Sequence, residues 1–591
     1  MHSSTSLGFM FTLGLVATLV GSPILLIGDT KQMALGQISS DTGGKQPNIL
    51  FIVQDDIGFA SLKSYGGDLP MPAIDGLANE SYLFTNFHVL PACSPTRGVF
   101  MTGVDSHRNG IPTLGEIMTP NQAGKPGYEL NLNDRVATVA DFLKQGGYHT
   151  YTTGKWHVGH DKGSLPADRG FEESLQYITG FPGYSGKIEG AGKLFTPTWV
   201  KNNDTFEYPY GTPVSTLITD ELINMIKTNK EDGKPFFAYL AYNANHFPLQ
   251  SSQELIKKND ARYDMGWDEV REQRLENMKK LGIVSQNVTL SPRESGVPAW
   301  DELNATEKAY ESKKMEVYAA MAEEMDIQIG KLFDYLKQTG QYDNTMIIFT
   351  TDNGPEGTAI EKETAGTPEF EAEVKGIQAT NNNSEANLGN PNSYFGYGPG
   401  WAQVSATPLF GFKYLLHEAG TRVPLLIKVP DGSEHKKVDS LIMAGDLVPT
   451  IMDIAGVSTP DTFNGKQLEK PAGKSITLLQ TSRKIHNDTE MIPVEFFGSK
   501  AVYNGNLKGI NIQEPIGDGK WHLYDIVKDP TEAKDLATEM PELLNQMAAV
   551  YDTYANETRV IPPDFVAFQL PEQLTDIDQR HLEALASMEL Q

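Results

Sequence analysis

The chain has 591 residues, several times the length of one compact domain, with 39% hydrophobic and 21% charged residues, a composition that excludes a fibrous or wholly disordered protein. Acidic residues outnumber basic ones by 76 to 49, for a net charge of −27, a field that repels nucleic acid and anionic membrane. Because the same field disfavours an anionic substrate, any sulfate or phosphate site has to gather its own cations locally.

Leu7 to Ile27 form an apolar, nearly uncharged run, which reads as an export signal or uncleaved anchor occupying residues 1–35. The expectation is an exported protein, periplasmic or extracellular, that touches a membrane only through this segment if it is retained. An exported chain with one cysteine, Cys93, is not held together by internal disulfides, so the cysteine needs another reason to be there.

After a Gly/Ser/Gln-rich stretch, Pro47 to Val53 is a short, continuous β-rich run of the kind buried on both faces of a sheet, and it ends in Gln54-Asp55-Asp56. Leu132, Val136, Ala140 and Leu143 recur at helical spacing up to Gly146-Gly147, and Tyr148 to Thr153 resumes a strand pattern. Phe236–Leu240, Met346–Thr350 and Val423–Ile427 are further core strands, separated by helical stretches. One of these helices carries Tyr318, Met321, Met325, Ile329, Leu332 and Leu336 as an apolar stripe facing the sheet. Two regions, near 251–305 and 360–400, break the alternation and read as insertions over the sheet rim that shape a substrate site. From residue 485 onward, Pro493–Phe497, Trp521–Asp525 and a helix near 540–555 indicate a smaller C-terminal α+β subdomain, 485–575. The fold class expected is α/β, a large mostly parallel sheet sandwiched by helices over residues 46–484.

Asp55 and Asp56 stand at the carboxyl end of one buried strand, and Asp352 and Asn353 at the end of another, where open α/β sheets place ligand-binding groups. Each pair alone is an ordinary turn opener. Together they form a hard oxygen set suited to Ca²⁺, with Mg²⁺ a weaker fit and zinc disfavoured for lack of a Cys/His ligand set.

Cys93-Ser94-Pro95-Thr96-Arg97, continued by Gly98-Val99-Phe100-Met101-Thr102-Gly103, resembles the signature of the type I sulfatases of the alkaline-phosphatase superfamily, Cys-x-Pro-x-Arg followed by Thr-Gly. Gly154-Lys155-Trp156-His157-Val158-Gly159, Asn245-His246-Phe247-Pro248 and Phe412-Lys413 ahead of His417 to Pro424 are similar to further segments of that family, so the resemblance runs from about 47 to 525. It implies an alkaline-phosphatase-like fold and an arylsulfatase-type sulfuric ester hydrolase. Cys93 would be converted to formylglycine by a formylglycine-generating system. Asp55, Asp56, Asp352 and Asn353 would hold the metal together with the modified Cys93, and Arg97 would steady that side chain. Lys155 would bind sulfate beside His157, while His246 and Lys413 would contact the leaving group. The substrate implied is a small-molecule or saccharide sulfate ester. His107, Arg108 and His160 read as structural support or packing. Two rival readings stay open: a phosphonate or phosphodiester hydrolase of the same superfamily, and an inactive relative that binds sulfated glycans.

Overall fold

The computed structural model describes residues 46–294, 296–361, 368–430, 435–480, 482, 484–564, 580–581 and 584–585. The export segment expected at 1–35 and the end of the C-terminal subdomain expected at 575 lie outside these residues. Among the described residues no helix is long and apolar enough to cross a membrane.

The centre is a ten-stranded sheet. Its strands in chain order are β1 (Asn48–Gln54), β2 (Tyr82–Phe84), β3 (His149–Lys155), β4 (Glu173–Thr179), β5 (Thr198–Lys201), β6 (Asp204–Thr205), β7 (Phe236–Ala241), β8 (Thr345–Thr351), β9 (Leu425–Lys428) and β10 (Lys436–Val438). The spatial order is β10-β2-β9-β8-β1-β7-β3-β4-β5-β6. The run β8-β1-β7-β3-β4 is parallel throughout. Strand β9, expected as one more core strand, runs antiparallel to both of its neighbours.

The continuous apolar runs are explained by burial on both faces. In β1, Leu50 and Ile52 enter one core cluster, and Ile49, Phe51 and Val53 enter a second on the opposite face. β7 and β8 divide in the same way, as a period of two requires. The helices α1 (Cys93–Thr102), α2 (Val139–Gln145), α3 (Val214–Asn229), α4 (Ala305–Gln338) and α5 (Leu447–Ala455) cover the two faces. The stripe expected over 318–336 lies in α4, with Tyr318, Met325, Ile329, Leu332 and Leu336 all fully buried.

The helix expected from Leu132 starts only at Val139. Thr138 accepts from the Asp141 amide while the Asp141 carboxylate accepts from the Thr138 amide, and this capping box fixes the start. Leu132 and Val136 are buried ahead of it in irregular chain, with the Leu132 amide donating to the Val158 carbonyl at 3.0 Å. Their helical spacing reflects a shared core side, not a helix.

The insertion near 251–305 contains the helices Gln253–Lys258 and Gly266–Leu281, and that near 360–400 contains Pro368–Thr380 and the start of Gly398–Ala406. Trp267, Trp300 and Trp401 pack edge to face with ring centroids 4.8–5.8 Å apart, joining the two insertions to each other. At the C-terminal end, β11 (Ile492–Phe496), β12 (Ser499–Asn504), β13 (Leu507–Asn511) and β14 (His522–Asp525) form an antiparallel meander in that order, packed by α6 (Pro541–Thr558).

Candidate active site

The register between β1 and β8 pairs Gln54 with Thr351, so the next residues of each strand emerge side by side at the same sheet edge. Asp55, Asp56, Asp352 and Asn353 are therefore brought together by strand geometry alone, and all four are at most 1% exposed. Asp56 takes φ 58°, a left-handed turn that Asp tolerates better than most residues and that ends the strand. The corner is pinned by Asn245, whose amide donates to the Asp55 carbonyl at 2.7 Å and whose side chain donates to the Tyr318 carbonyl at 2.7 Å.

Cys93 is the first residue of α1, and Arg97, one turn later on the same helix face, is fully buried. Ala92 at the N-cap offers no side-chain acceptor, so the first amides of this helix stay open to negative charge. Arg97 Nε donates to Asp352 Oδ2 at 2.7 Å, and Nη2 lies 2.6 Å from the same oxygen as an ion pair. Lys155, the last residue of β3, donates to Asp55 Oδ2 at 2.7 Å. The preceding Gly154 has φ 99°, and a Cβ there would lie 1.8 Å from the Ala241 carbonyl oxygen, so only glycine brings β3 this close to β7. Lys413 donates to Asp56 Oδ2 at 3.0 Å, with Oδ1 2.8 Å from its ammonium, and lies 3.4 Å from Glu356. Its segment is held on both sides, the Lys413 amide donating to the Pro355 carbonyl and the Tyr414 amide to the Pro91 carbonyl.

Three buried cations thus face three buried carboxylates, which supplies the local positive charge that the acidic composition demanded. Burial, then the charge of Asp352, pushes the Asp55 carboxyl above its usual range. Burial likewise pushes Asp56 up to about 7. Asp55 Oδ1, Asp352 Oδ1 and Asn353 Oδ1 are buried acceptor oxygens without a hydrogen-bond partner. Ligand atoms of Asp55, Cys93 and Asp352 lie within 4.8 Å of one another, as do those of Asp55, Asp56 and His246. Convergent buried oxygens with unused lone pairs are costly in a bare protein and fit a hard divalent cation.

Burial pushes the Cys93 thiol up to about 11, so as an unmodified cysteine it stays protonated and is a poor nucleophile. His246 Nδ1 donates to the Phe247 carbonyl at 2.7 Å and Nε2 lies 3.8 Å from Asp56 Oδ2. Burial, then Lys413 and Lys155, keeps its imidazole neutral at ordinary pH. His157 is half-buried and also held neutral by burial and Lys155, and its carbonyl accepts from Ser94 Oγ at 2.7 Å, tying it to the residue after Cys93.

All the residues singled out in the sequence are at this edge, except those read as structural support. His107 bridges to the C-terminal subdomain through Glu495 at 2.9 Å, and Arg108 pairs with Glu469 and Glu557. His160, read as packing, is exposed. Sequence reasoning missed Glu356, which sits beside Lys413 and whose only signal was a second acidic residue four positions after Asp352. It also missed Phe181, in a Gly-Phe-Pro-Gly turn without periodicity, whose ring stacks on His246.

Comparison with known proteins agrees with this geometry. The profile of the family described as Sulfatase matches residues 47–457, and one described as N-sulphoglucosamine sulphohydrolase, C-terminal, matches 409–553. An uncharacterised sulfatase of Schizosaccharomyces pombe is 37% identical over 544 residues, 88% of this chain and 96% of that protein. An arylsulfatase of Klebsiella aerogenes is 32% identical over 74% of this chain and 93% of its own length. Among solved structures, a protein in complex with k-i-k-neocarrahexaose superposes with TM-score 0.60 at 22% identity, covering 86% of this chain and 93% of the other. At that identity the likeness speaks for the fold.

Proposed function

The chain belongs to the sulfatase family and is a sulfuric ester hydrolase, and from that premise we propose that it cleaves a sulfate monoester with water to an alcohol or phenol plus sulfate, using residue 93 as formylglycine beside one calcium ion. The observation that carries this reading is the meeting of Cys93 with Asp55, Asp352 and Asn353 at one sheet edge, where each of the last three keeps a buried oxygen without a partner. Asp55, Asp56, Asp352 and Asn353 are the residues that would hold the ion, all hard oxygen donors of the kind calcium takes. Once present, the ion supplies Lewis-acid charge and the hydrated aldehyde supplies an oxygen nucleophile, which the protonated thiol of Cys93 does not.

The remaining work falls to the chain's own side chains. Arg97, locked on Asp352, keeps residue 93 against the acidic edge. Lys155 places its ammonium on Asp55 and Lys413 on Asp56, where they offset charge on the sulfuryl oxygens. The Phe247 carbonyl fixes the proton of His246 on Nδ1, so Nε2 delivers a proton to the departing oxygen only from the imidazolium form. An anionic ester between the lysines and His246 favours that form by offsetting the lysine charges that, after burial, suppress it. His157 is the base beside residue 93. The substrate is a small-molecule or saccharide sulfate ester, and the apolar run at 7–27 supports export to the periplasm or outside the cell.

The test is release of 4-nitrophenol from 4-nitrophenyl sulfate, before and after chelation and calcium restoration, beside bis(4-nitrophenyl) phosphate as a diester control. Calcium-restored turnover that prefers the sulfate supports the proposal. A preference for the diester would move the enzyme to the phosphodiester branch of the superfamily.

A further inference from the structure

The imidazole of His246 packs against two phenyl rings that also meet each other, with the Phe181 and Phe247 centroids 5.9 Å apart. Phe247 lies with its ring centroid 4.3 Å away at an interplanar angle of 37°, and Phe181 stacks on it at 5.1 Å and only 20°. Phe247 is the next residue in the chain, but Phe181 comes from the connection between β4 and β5, far away in sequence. Phe181 is half-buried and is supported from behind by Phe195, 5.1 Å away, which packs in turn against Phe370 and Tyr394 of the second insertion. A chain of aromatic contacts therefore runs from the helix Pro368–Thr380 to the plane of His246.

We propose that Phe181 is a positioning residue for proton delivery to the leaving group, a role that rests on the reading of His246 given above. Two restraints are needed to aim Nε2. The Nδ1 bond to the Phe247 carbonyl fixes which nitrogen carries the proton and sets one point of the ring. It leaves the ring free to swing about that bond, and the near-parallel face of Phe181 removes that freedom. An aromatic stack is a small contribution beside a whole core, so the restraint sets orientation and not the integrity of the fold.

This role has a kinetic signature that a structural one lacks. A proton at the departing oxygen matters most when that oxygen is a poor leaving group and least when it departs readily as an anion. For the full-length enzyme with residue 93 converted, Phe181→Ala should lower kcat/KM for phenyl sulfate about tenfold more than for 4-nitrophenyl sulfate, a fraction of the ~10²–10⁴ that general acid help provides. Phe181→Tyr keeps the stack and should restore the wild-type dependence on leaving group. His246→Ala run on the same pair of esters separates the possible failures. If it discriminates between the esters and Phe181→Ala does not, the positioning role of Phe181 is wrong. If His246→Ala loses equally on both esters, the assignment of His246 falls and this inference falls with it.

Discussion

Two of the clusters of buried charge among the described residues are finished differently. At the junction with the C-terminal subdomain, Lys508 of β13 donates to Glu418 and Glu532 at 3.0 Å each, His88 lies 3.0 Å from Glu418, and His417 lies 3.0 Å from Glu532. Every carboxylate oxygen there has a partner. Burial alone would raise both glutamates, but Lys508 with His88 holds Glu418 well below the usual carboxylate range, and Lys508 with His417 lowers Glu532. At the sheet edge the balance of charge is similar, yet Asp55, Asp352 and Asn353 each keep an oxygen without a partner, and the Asp55 and Asp56 carboxyls are pushed up. A closed cluster joins two parts of a fold; an open one is shaped for something the chain does not itself supply.

Substitutions should therefore separate the two clusters into rate and stability. The largest effect is expected from Asp352→Ala, which removes an oxygen of the open cluster and the partner of Arg97. Sulfatase activity should fall to background and bound calcium should disappear by elemental analysis; unchanged activity with unchanged metal content would show that Asp352 is no ligand. Next, His246→Ala should slow turnover by ~10²–10⁴-fold with little change in melting temperature, since the ring contributes to the reaction more than to packing. Lys508→Met should do the reverse. It strands two buried carboxylates and should cost ~3–5 kcal/mol in urea unfolding, while calcium still binds. A Lys508→Met protein as stable as wild type would mean that the junction is not the closed cluster described.

Calcium itself sharpens the contrast. Added at ~100 times its dissociation constant, it should stabilise the wild type by ~2.7 kcal/mol and leave Asp352→Ala unaffected, because only a native-state site gains from mass action. The smallest effect concerns His107. Burial alone would lower its pKa, but bonds to Asp105 and Glu495 outweigh burial and raise it from 6.5 to about 9. A raised folded-state value means the contribution is complete below 6.5 and is lost as pH rises through about 9. Unfolding measured across that window should show stability declining with pH, and His107→Gln should flatten the decline.

Much of this was written in the residues. Strands such as Asn48–Gln54 were legible because a run buried on both faces has to be continuously apolar, and the acidic pairs because they follow such runs directly. The motif around Cys93 pointed to the right edge of the sheet because Cys93 and Arg97 share one helix face. Elsewhere spacing misled. Leu132 and Val136 have a helical period but belong to irregular chain, and the truer signal was the Thr138–Asp141 capping box. The helix Gly266–Leu281 showed no stripe for the sheet because it buries Trp267 against Trp300 and Trp401 of neighbouring segments. Glu356 and Phe181 owe their places to tertiary contact alone, which no local pattern encodes.

The most direct test is the mass of the peptide spanning residue 93 in active enzyme. The account predicts a peptide lighter than the encoded one by the difference between a thiol and an aldehyde side chain, and reactive towards hydrazines. An active preparation in which this peptide retains its thiol throughout would contradict it.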